Sequence, residues 1–173
     1  MTTTAAIDEI EARLTQAFSA LSDSVKASLR PGASAADIDA VEAAIGLTLP
    51  PIVRCAYLMH DGQRVGTDDM FEDQFRWIPV KSILVEWKTW KGLLDDGAFD
   101  NMNEGDIGDD VRMDWWNAKW IPLARSESGD CVCVDLDPGA SGVVGQMIEV
   151  FHDDERRNVL ATNFAALLHE QAF

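Results

Sequence analysis

Residues 115–150 read WWNAKWIPLARSESGDCVCVDLDPGASGVVGQMIEV, and this stretch decides the fold. Short runs rich in β-forming residues are separated by clusters of Gly, Pro, Asp and Ser at 126–130 and 137–142. Within 131–136, Cys and Asp at the odd positions alternate strictly with Val and Leu at the even positions, which places both cysteines of this run on one face. Such runs and turns predict the central strands of an antiparallel meander.

The charge balance is the most informative global property. The chain of 173 residues has 30 acidic and 14 basic residues, a formal net charge of −16. This charge disfavours nucleic acid and anionic membranes, because both are bound through Lys and Arg that neutralise phosphate. It favours a basic protein partner, which long-range attraction would bring in faster. Solubility alone is the other explanation of the charge.

Several observations predict a cytoplasmic protein without membrane insertion. No apolar run approaches the roughly 18–20 residues that a membrane helix requires. The N-terminal sequence MTTTAAIDEIEARL lacks the basic and apolar regions of a secretory signal. The three cysteines are an odd number at spacings that suggest no disulfide framework, so we expect reduced thiols. The oligomeric state does not follow from the sequence.

The first half of the chain is predicted to be helical. Through 1–30, apolar residues recur every three or four positions and predict one long helix. These residues are Ile7, Ile10, Leu14, Phe18, Leu21, Val25 and Leu29. A second helix begins at Ser34, with Asp37 in the capping-box position, and ends at Gly46. Pro51 is suited to the first position of a third helix.

The middle of the chain mixes a short strand, a helix and a loop. Residues 75–80 predict a strand, which Pro79 restricts to a sheet edge or a strand end. Ser82 is a candidate N-cap for the helix that follows. Residues 95–114 contain eight acidic residues and one basic residue and are interrupted by Gly, so they predict a long surface loop of the kind that carries function.

The expected fold class is α+β, a mostly antiparallel sheet with helices packed against it. Most of the helices precede the sheet, and one C-terminal helix, at 163–171, follows a last strand at 159–160. Since the chain has the length of one sizeable core, we expect a single domain over 1–173, with 1–30 as an added N-terminal helix.

Nucleophilic and metal-binding motifs are weak. Cys131 and Cys133 resemble half of a metal site, but no second cysteine pair accompanies them, so a structural role is favoured. Cys55 has no His at a diagnostic spacing, although a nucleophile needs a positioned base. The His-Asp dipeptides at 60–61 and 152–153 are more typical of turns than of acid–base pairs.

No cofactor or metal is predicted. Asp135 and Asp137 have the spacing of two carboxylate ligands, but the other oxygen ligands of an EF-hand loop do not follow them. The sequence has no GxGxxG, Walker, HExxH or GxSxG motif. We therefore expect a protein without enzymatic activity.

Six segments, in this order and spacing, resemble the SUKH superfamily, the Smi/Knr-type proteins. The segments are 37–46 and 49–63, similar to "LG…LP…hnGq"; 115–124, similar to "ww…WiPia"; and 129–138, 142–148 and 161–168. The resemblance covers about 34–170 and leaves the N-terminal helix outside. It implies an α+β domain without enzymatic activity, whose recurring residues mostly build the fold.

The resemblance also implies a function through protein binding. Fungal members of the family resemble regulators of cell-wall glucan synthesis and signalling scaffolds, and bacterial members look like immunity proteins that neutralise toxins, often nucleases. The chain lacks the long disordered flanks of the fungal regulators, which favours the bacterial branch. The main hypothesis is therefore an immunity protein that binds a basic toxin. The alternative is a regulatory scaffold in cell-wall or envelope synthesis.

The partner-binding surface is expected in the acidic segment and the two tryptophans that follow it. Carboxylates would steer a basic partner, and aromatic residues commonly anchor interfaces. The predicted contact residues are Asp95, Asp96, Asp100, Glu104, Asp106, Asp109, Asp110, Asp114, Trp115 and Trp116. Core packing is the other interpretation of these tryptophans.

Overall fold

A computed structural model of the chain describes residues 3–71, 74–102 and 108–170. The helices in this part are α1 (Thr4–Ala20), α2 (Asp23–Ser28), α3 (Ala35–Ile45), α4 (Pro51–Met59), α5 (Val80–Asp95) and α6 (Phe164–Glu170). The strands are β1 (Arg76–Trp77), β2 (Trp120–Arg125), β3 (Cys131–Asp135), β4 (Gln146–Val150) and β5 (Arg157–Ala161). None of these helices is both long enough and apolar enough to span a bilayer.

The five strands form one antiparallel sheet in the order β1-β2-β3-β4-β5. The order in space equals the order in sequence, so the predicted meander and the α+β class are confirmed. β1 lies at an edge, as Pro79 predicts, but it is only two residues long. The Ile78 N–H still donates to the Leu123 carbonyl over 3.0 Å, and the chain then turns into α5 at Pro79, which has no N–H to continue the ladder.

Both faces of the sheet are buried. Val132 and Val134 point into the main core, which contains residues of α1, α4 and α6. Cys131 and Cys133 point to the opposite face and pack in a second apolar cluster with Trp90 of α5. The alternation predicted for this strand is therefore confirmed. All residues of β3 are buried, because helices cover one face while α5 and the segment before β2 cover the other.

The prediction of one helix through 1–30 is wrong. Leu21 adopts an extended conformation that ends α1, and the Ser22 hydroxyl caps α2 by accepting the Val25 N–H over 3.3 Å. The apolar stripe nevertheless continues across the break, because Leu21 and Val25 are both buried. Apolar periodicity identified the buried face but not the interruption, which depends on the capping serine.

The next two helices begin as predicted. The Ser34 hydroxyl accepts the Asp37 N–H over 3.1 Å, and Gly46 ends α3 in the left-handed conformation with φ 71°. Pro51 is the first residue of α4. These termini could be predicted because each depends on residues within one helical turn.

The start of α5 differs from the prediction. The helix begins at Val80 rather than after Ser82, and its N-cap, Pro79, has no side-chain acceptor. Asp61, 19 residues earlier, supplies the missing acceptor, because its Oδ1 accepts the Val80 N–H over 2.7 Å. This carboxylate thus ties the end of α4 to the start of α5.

The C-terminal elements are close to those predicted. β5 is longer than the predicted 159–160 and takes in Arg157. Asn163 accepts the N–H groups of Ala165 and Ala166, each over 3.1 Å, and thereby starts α6. The last predicted helical position, 171, lies outside the described residues.

Candidate functional site

The acidic segment before β2 packs against the loop that joins β3 to β4. The Asp109 carbonyl accepts the Ser141 N–H over 2.9 Å, and the Asp110 carbonyl accepts the Gly139 N–H over 3.1 Å. The Gln146 side chain also donates to the Asp110 carbonyl, over 2.8 Å. Residues 108–111 and 138–146 therefore pack against each other at this end of the sheet.

Two glycines make this contact possible. A Cβ atom at Gly139 would lie 2.3 Å from the Asp109 carbonyl oxygen, and one at Gly142 would lie 2.1 Å from the Asp110 carbonyl oxygen. Both distances are far below van der Waals contact, so only glycine allows the two backbones to approach this closely. Because Val111 is also buried in the second cluster, the segment is held on both sides.

The carboxylates of Asp109 and Asp110 are not neutralised by basic side chains. All 14 Lys and Arg residues lie in the described part of the chain, and none of them forms an ion pair with either carboxylate. Arg112, the nearest basic residue in sequence, pairs instead with Asp137 over 2.9 Å. The negative charge at 109–110 is therefore available to a partner.

Exposed apolar residues lie next to these carboxylates. Val143 is 55% exposed and Val144 is 68% exposed, and both follow Gly142 directly. An apolar patch beside charged groups is the usual composition of a protein-binding surface. We call residues 108–114 and 138–144 the acidic surface.

The other predicted acidic residues lie elsewhere. Asp95 pairs with Lys91 over 2.5 Å, so its charge is offset. Asp96 caps the C-terminus of α5 and, like Asp100, is exposed. In the described ranges, no hydrogen bond or ion pair links these three residues to the acidic surface. Glu104 and Asp106 lie outside the described residues.

Trp116 belongs to the core. It is 2% exposed and stacks on Trp90 with ring centroids 6.2 Å apart and planes 13° apart. Trp87 contacts it edge-on, and the Trp87 indole N–H donates to the Ala118 carbonyl over 2.8 Å. Trp116 therefore packs in the core and is not accessible to a partner.

Trp115 is half-buried. The Arg157 guanidinium lies 5.3 Å from the centroid of its ring and donates to its backbone carbonyl. Burial lowers the pKa of Arg157 to about 10, so this residue stays charged at neutral pH. The Phe99 ring also packs against it, with ring centroids 6.4 Å apart. Trp115 thus presents only a part of its ring to solvent.

A polar network joins the acidic surface to the sheet. Asp114 and Asp137 both accept from the Asn117 amide, over 2.7 and 3.3 Å. Asp137 also pairs with Lys119 over 3.4 Å. Asp135 is fully buried, and the Gln146 amide donates to it over 3.0 Å. Burial raises the pKa of Asp135, and its hydrogen bonds oppose that shift. Both carboxylates of the Asp135-x-Asp137 pair are therefore engaged within the protein.

Sequence reasoning missed a cluster at the opposite end of the sheet. His152 Nδ1 lies 2.7 Å from Asp130 Oδ1, and the Ser128 hydroxyl donates to Asp130 Oδ2 over 2.7 Å. The hydrogen bond from Asp130 raises the pKa of His152. Partial burial opposes ionisation of Asp130, but hydrogen bonds from Ser128 and His152 lower its pKa overall.

The chemical capacity of this cluster is small. Ser128 donates to the carboxylate and not to the imidazole, so His152 does not activate it as a base would. Asp130, His152 and Asp153 offer ligand atoms within 4.8 Å of one another, the only such group that the described ranges contain. Asp130 is already committed to the ring, which leaves His152 Nε2 and the Asp153 carboxylate. Two exposed ligands make a weak cation site.

The cysteines are structural in environment. Cys131 and Cys133 are fully buried, and Cys55 is 8% exposed. All three are free thiols. Burial raises the pKa of Cys131 to about 12 and that of Cys133 well above its ordinary value. Neither residue is therefore a thiolate nucleophile at neutral pH.

Comparison with known proteins identifies relatives of the chain. The model of the SMI1 / KNR4 family (SUKH-1) matches residues 32–170, which include every strand of the sheet. Among curated proteins, the chain is 29% identical over 151 residues to a "Cell wall biosynthesis/cell cycle regulator smi1" from Schizosaccharomyces pombe, covering 79% of the chain and 30% of that relative.

Two further fungal proteins are similar. A "KNR4/SMI1 homolog" from Yarrowia lipolytica is 26% identical over 183 residues, covering 79% of the chain and 26% of the relative. A "Glucan synthesis regulatory protein" from Neurospora crassa is 23% identical over 176 residues, covering 81% and 33%. The chain thus spans a third or less of the length of the curated relatives it matches.

Proposed function

Because the chain belongs to the SMI1 / KNR4 family (SUKH-1), we propose that it is a regulatory, protein-binding domain that acts in cell-wall or envelope synthesis. The proposal rests on the match of the family model to residues 32–170, together with the names of two relatives. One is named a cell wall biosynthesis regulator and the other a glucan synthesis regulatory protein. The domain would act by binding another protein and not by catalysis.

The chemistry of the candidate groups supports a role without catalysis. The buried thiols of Cys131 and Cys133 are protonated at neutral pH, because burial raises the pKa of each. Asp130 holds both the Ser128 hydroxyl and the His152 ring. Each of these groups is committed to the fold, whereas Asp109 and the nearby valines are exposed and Asp110 is partly exposed.

The acidic surface is the contact that we propose for the partner. Its carboxylates at 109–110 have no basic counterpart, and Val143 and Val144 supply exposed apolar area beside them. The net charge of −16 would speed the encounter with a basic partner. The partially exposed Trp115 is included as an aromatic contact. The cytoplasm, where thiols stay reduced, is the compartment that we propose.

Deletion of the gene in the organism that carries it tests the proposal. We expect hypersensitivity to inhibitors of cell-wall synthesis and a changed wall composition, both restored by the wild-type gene. An Asp109→Asn/Asp110→Asn variant should restore them only in part, because it removes charge from the acidic surface. The matched control is Asp8→Asn/Glu9→Gln, which removes the same charge from the exposed side of α1. A deletion strain with a normal wall would refute the regulatory role.

The second candidate is an immunity protein that binds and neutralises a basic toxin. The large negative charge favours it, since nuclease toxins are basic and inhibitors present matching carboxylates. The same deletion strain separates the two candidates. An immunity protein leaves the wall unchanged, and its loss makes cells sensitive to the product of a neighbouring gene. Pull-down with that product, followed by rescue from its toxicity, would identify this function.

A further inference from the structure

The two edges of the sheet differ. β1 is two residues long and is followed closely by Pro79, which lacks a backbone donor, so this edge is protected. β5 (Arg157–Ala161) is five residues long and pairs with β4 on one side. In the described ranges, no strand pairs with its other side and no backbone hydrogen bond from another segment reaches it.

The register tells which backbone groups face outward from β5. The Leu136 N–H donates to the Lys119 carbonyl over 3.1 Å, and the Ser126 N–H donates to the Asp130 carbonyl over 2.9 Å. Backbone groups in antiparallel strands alternate between the two neighbours.

In both bonds an even-numbered residue of the β3 segment directs its backbone group toward β2. The backbone N–H and C=O groups of the odd-numbered residues of β3 therefore point toward β4. The same alternation, carried through the β3–β4 and β4–β5 registers, makes Glu149 and Asn158 a hydrogen-bonded pair. Arg157 and Val159 therefore direct their N–H and C=O groups away from β4, but Arg157 is only 4% exposed, so the accessible groups are those of Val159.

Acidic side chains lie in the loop directly before β5. Arg156 pairs with Asp154 over 3.0 Å, and the Arg157 guanidinium is buried against backbone carbonyls. Both arginines at the start of β5 are thus engaged. The side chain of Asp153 is 74% exposed, and Glu155 is exposed as well. Val159, 36% exposed, adds an apolar position in the middle of the strand.

From this arrangement we infer that β5 accepts an extended, basic segment of the partner protein as a sixth strand. Backbone groups of Val159, which is 36% exposed, would supply the hydrogen bonds, and Asp153 and Glu155 would attract basic side chains. A second copy of the chain fits this edge poorly, because two molecules that each have a net charge of −16 repel one another. The inference rests on the proposed protein-binding function and specifies how the partner is held.

The experiment uses a short peptide of alternating Lys and Val, with an alternating Glu and Val peptide as its control. Binding to the full chain is followed by NMR titration and by amide hydrogen exchange. We expect only the Lys–Val peptide to bind and to slow the exchange of the Val159 amide. Val159→Pro removes an outward N–H without breaking a bond to β4, and should weaken binding at least about tenfold. Val159→Thr keeps the N–H and the branched shape, and should bind nearly as the wild type does.

A second variant guards against misfolding of the proline variant. Asp153→Asn/Glu155→Gln leaves the backbone intact and should weaken the Lys–Val peptide severalfold, with an effect that disappears at high salt. The inference is overturned if the peptide does not bind, if it protects other amides, or if the folded proline variant binds normally. It is equally overturned if sedimentation shows a dimer that Val159→Pro dissociates. These results would leave the envelope phenotype of the deletion strain, and with it the proposed function, untouched.

Discussion

Asp130 holds two loops together at one end of the sheet. It accepts hydrogen bonds from the Ser128 hydroxyl and from the backbone N–H and ring of His152. Asp130 and His152 are 22 residues apart in sequence, and the β3–β4 register brings them together because Cys131 pairs with Val150. A pattern read along the chain assigns His152 to a charged turn, and only the sheet reveals its partner.

This ion pair predicts a pH dependence of stability. The Asp130 hydrogen bond raises the pKa of His152 in the folded state. The stabilisation is therefore complete below the unfolded histidine pKa of about 6.5 and is lost as the pH rises through the folded value. We expect the free energy of unfolding in urea to fall as the pH rises above about 6.5.

Two variants check which group causes the free energy of unfolding to fall with pH. His152→Asn and Asp130→Asn should each flatten this slope, and the double variant should be no flatter than either single one, since both remove the same interaction. A His152→Asn protein that retains the wild-type slope would assign the pH dependence to another group.

Adjacent tryptophans have different roles. Trp116 is enclosed between Trp87 and Trp90, whereas Trp115 is half-buried against Arg157. We expect Trp116→Ala to destabilise the fold by roughly 3–5 kcal/mol, because it leaves a large cavity in the second cluster. Trp115→Ala should cost clearly less, since part of its ring is already solvated. Chemical denaturation of both variants measures this difference, and equal losses would contradict the assignment.

At the scale of elements, α5 depends on a carboxylate outside its own sequence. Asp61 accepts the Val80 N–H and also lies 3.6 Å from the Arg30 guanidinium. We expect Asp61→Ala to destabilise the protein by about 1 kcal/mol, since an N-terminal N–H of α5 loses its acceptor. Asp61→Asn keeps an acceptor oxygen and should lose much less. Thermal denaturation distinguishes them, and identical losses would attribute the effect to the Arg30 pair instead.

Local chemistry explains which elements the sequence could predict. The meander and the termini of α3 and α4 follow from turn residues, capping residues and alternation within a few positions. The break at Ser22 depends on a local serine cap that apolar periodicity does not detect. The start of α5 and the length of β1 differ from the prediction because tertiary partners compete with local propensity there. The acidic segment was recognised by its composition. Its docking onto Gly139 and Gly142 required the structure.

At the scale of the whole molecule, repulsion among carboxylates should limit stability. With a net charge of −16, each unpaired acidic residue lies in a negative field. We expect Asp109→Asn to stabilise the protein by a few tenths of a kcal/mol at low salt, an effect that high salt removes. The matched variant Asp95→Asn removes the same charge but also the Lys91 pair, and should give no gain. Urea denaturation at two NaCl concentrations provides the comparison.

The agreement of strand order with sequence order has a consequence for folding kinetics. The connections between β2, β3, β4 and β5 are short, so each hairpin closes with a small loss of chain entropy. β1 reaches β2 only after α5 and the acidic segment, a much longer loop to close. The four-stranded hairpin series should therefore form the folding nucleus, and β1 should join it late. Substitutions in β3 would then slow folding, whereas those in β1 would mainly accelerate unfolding.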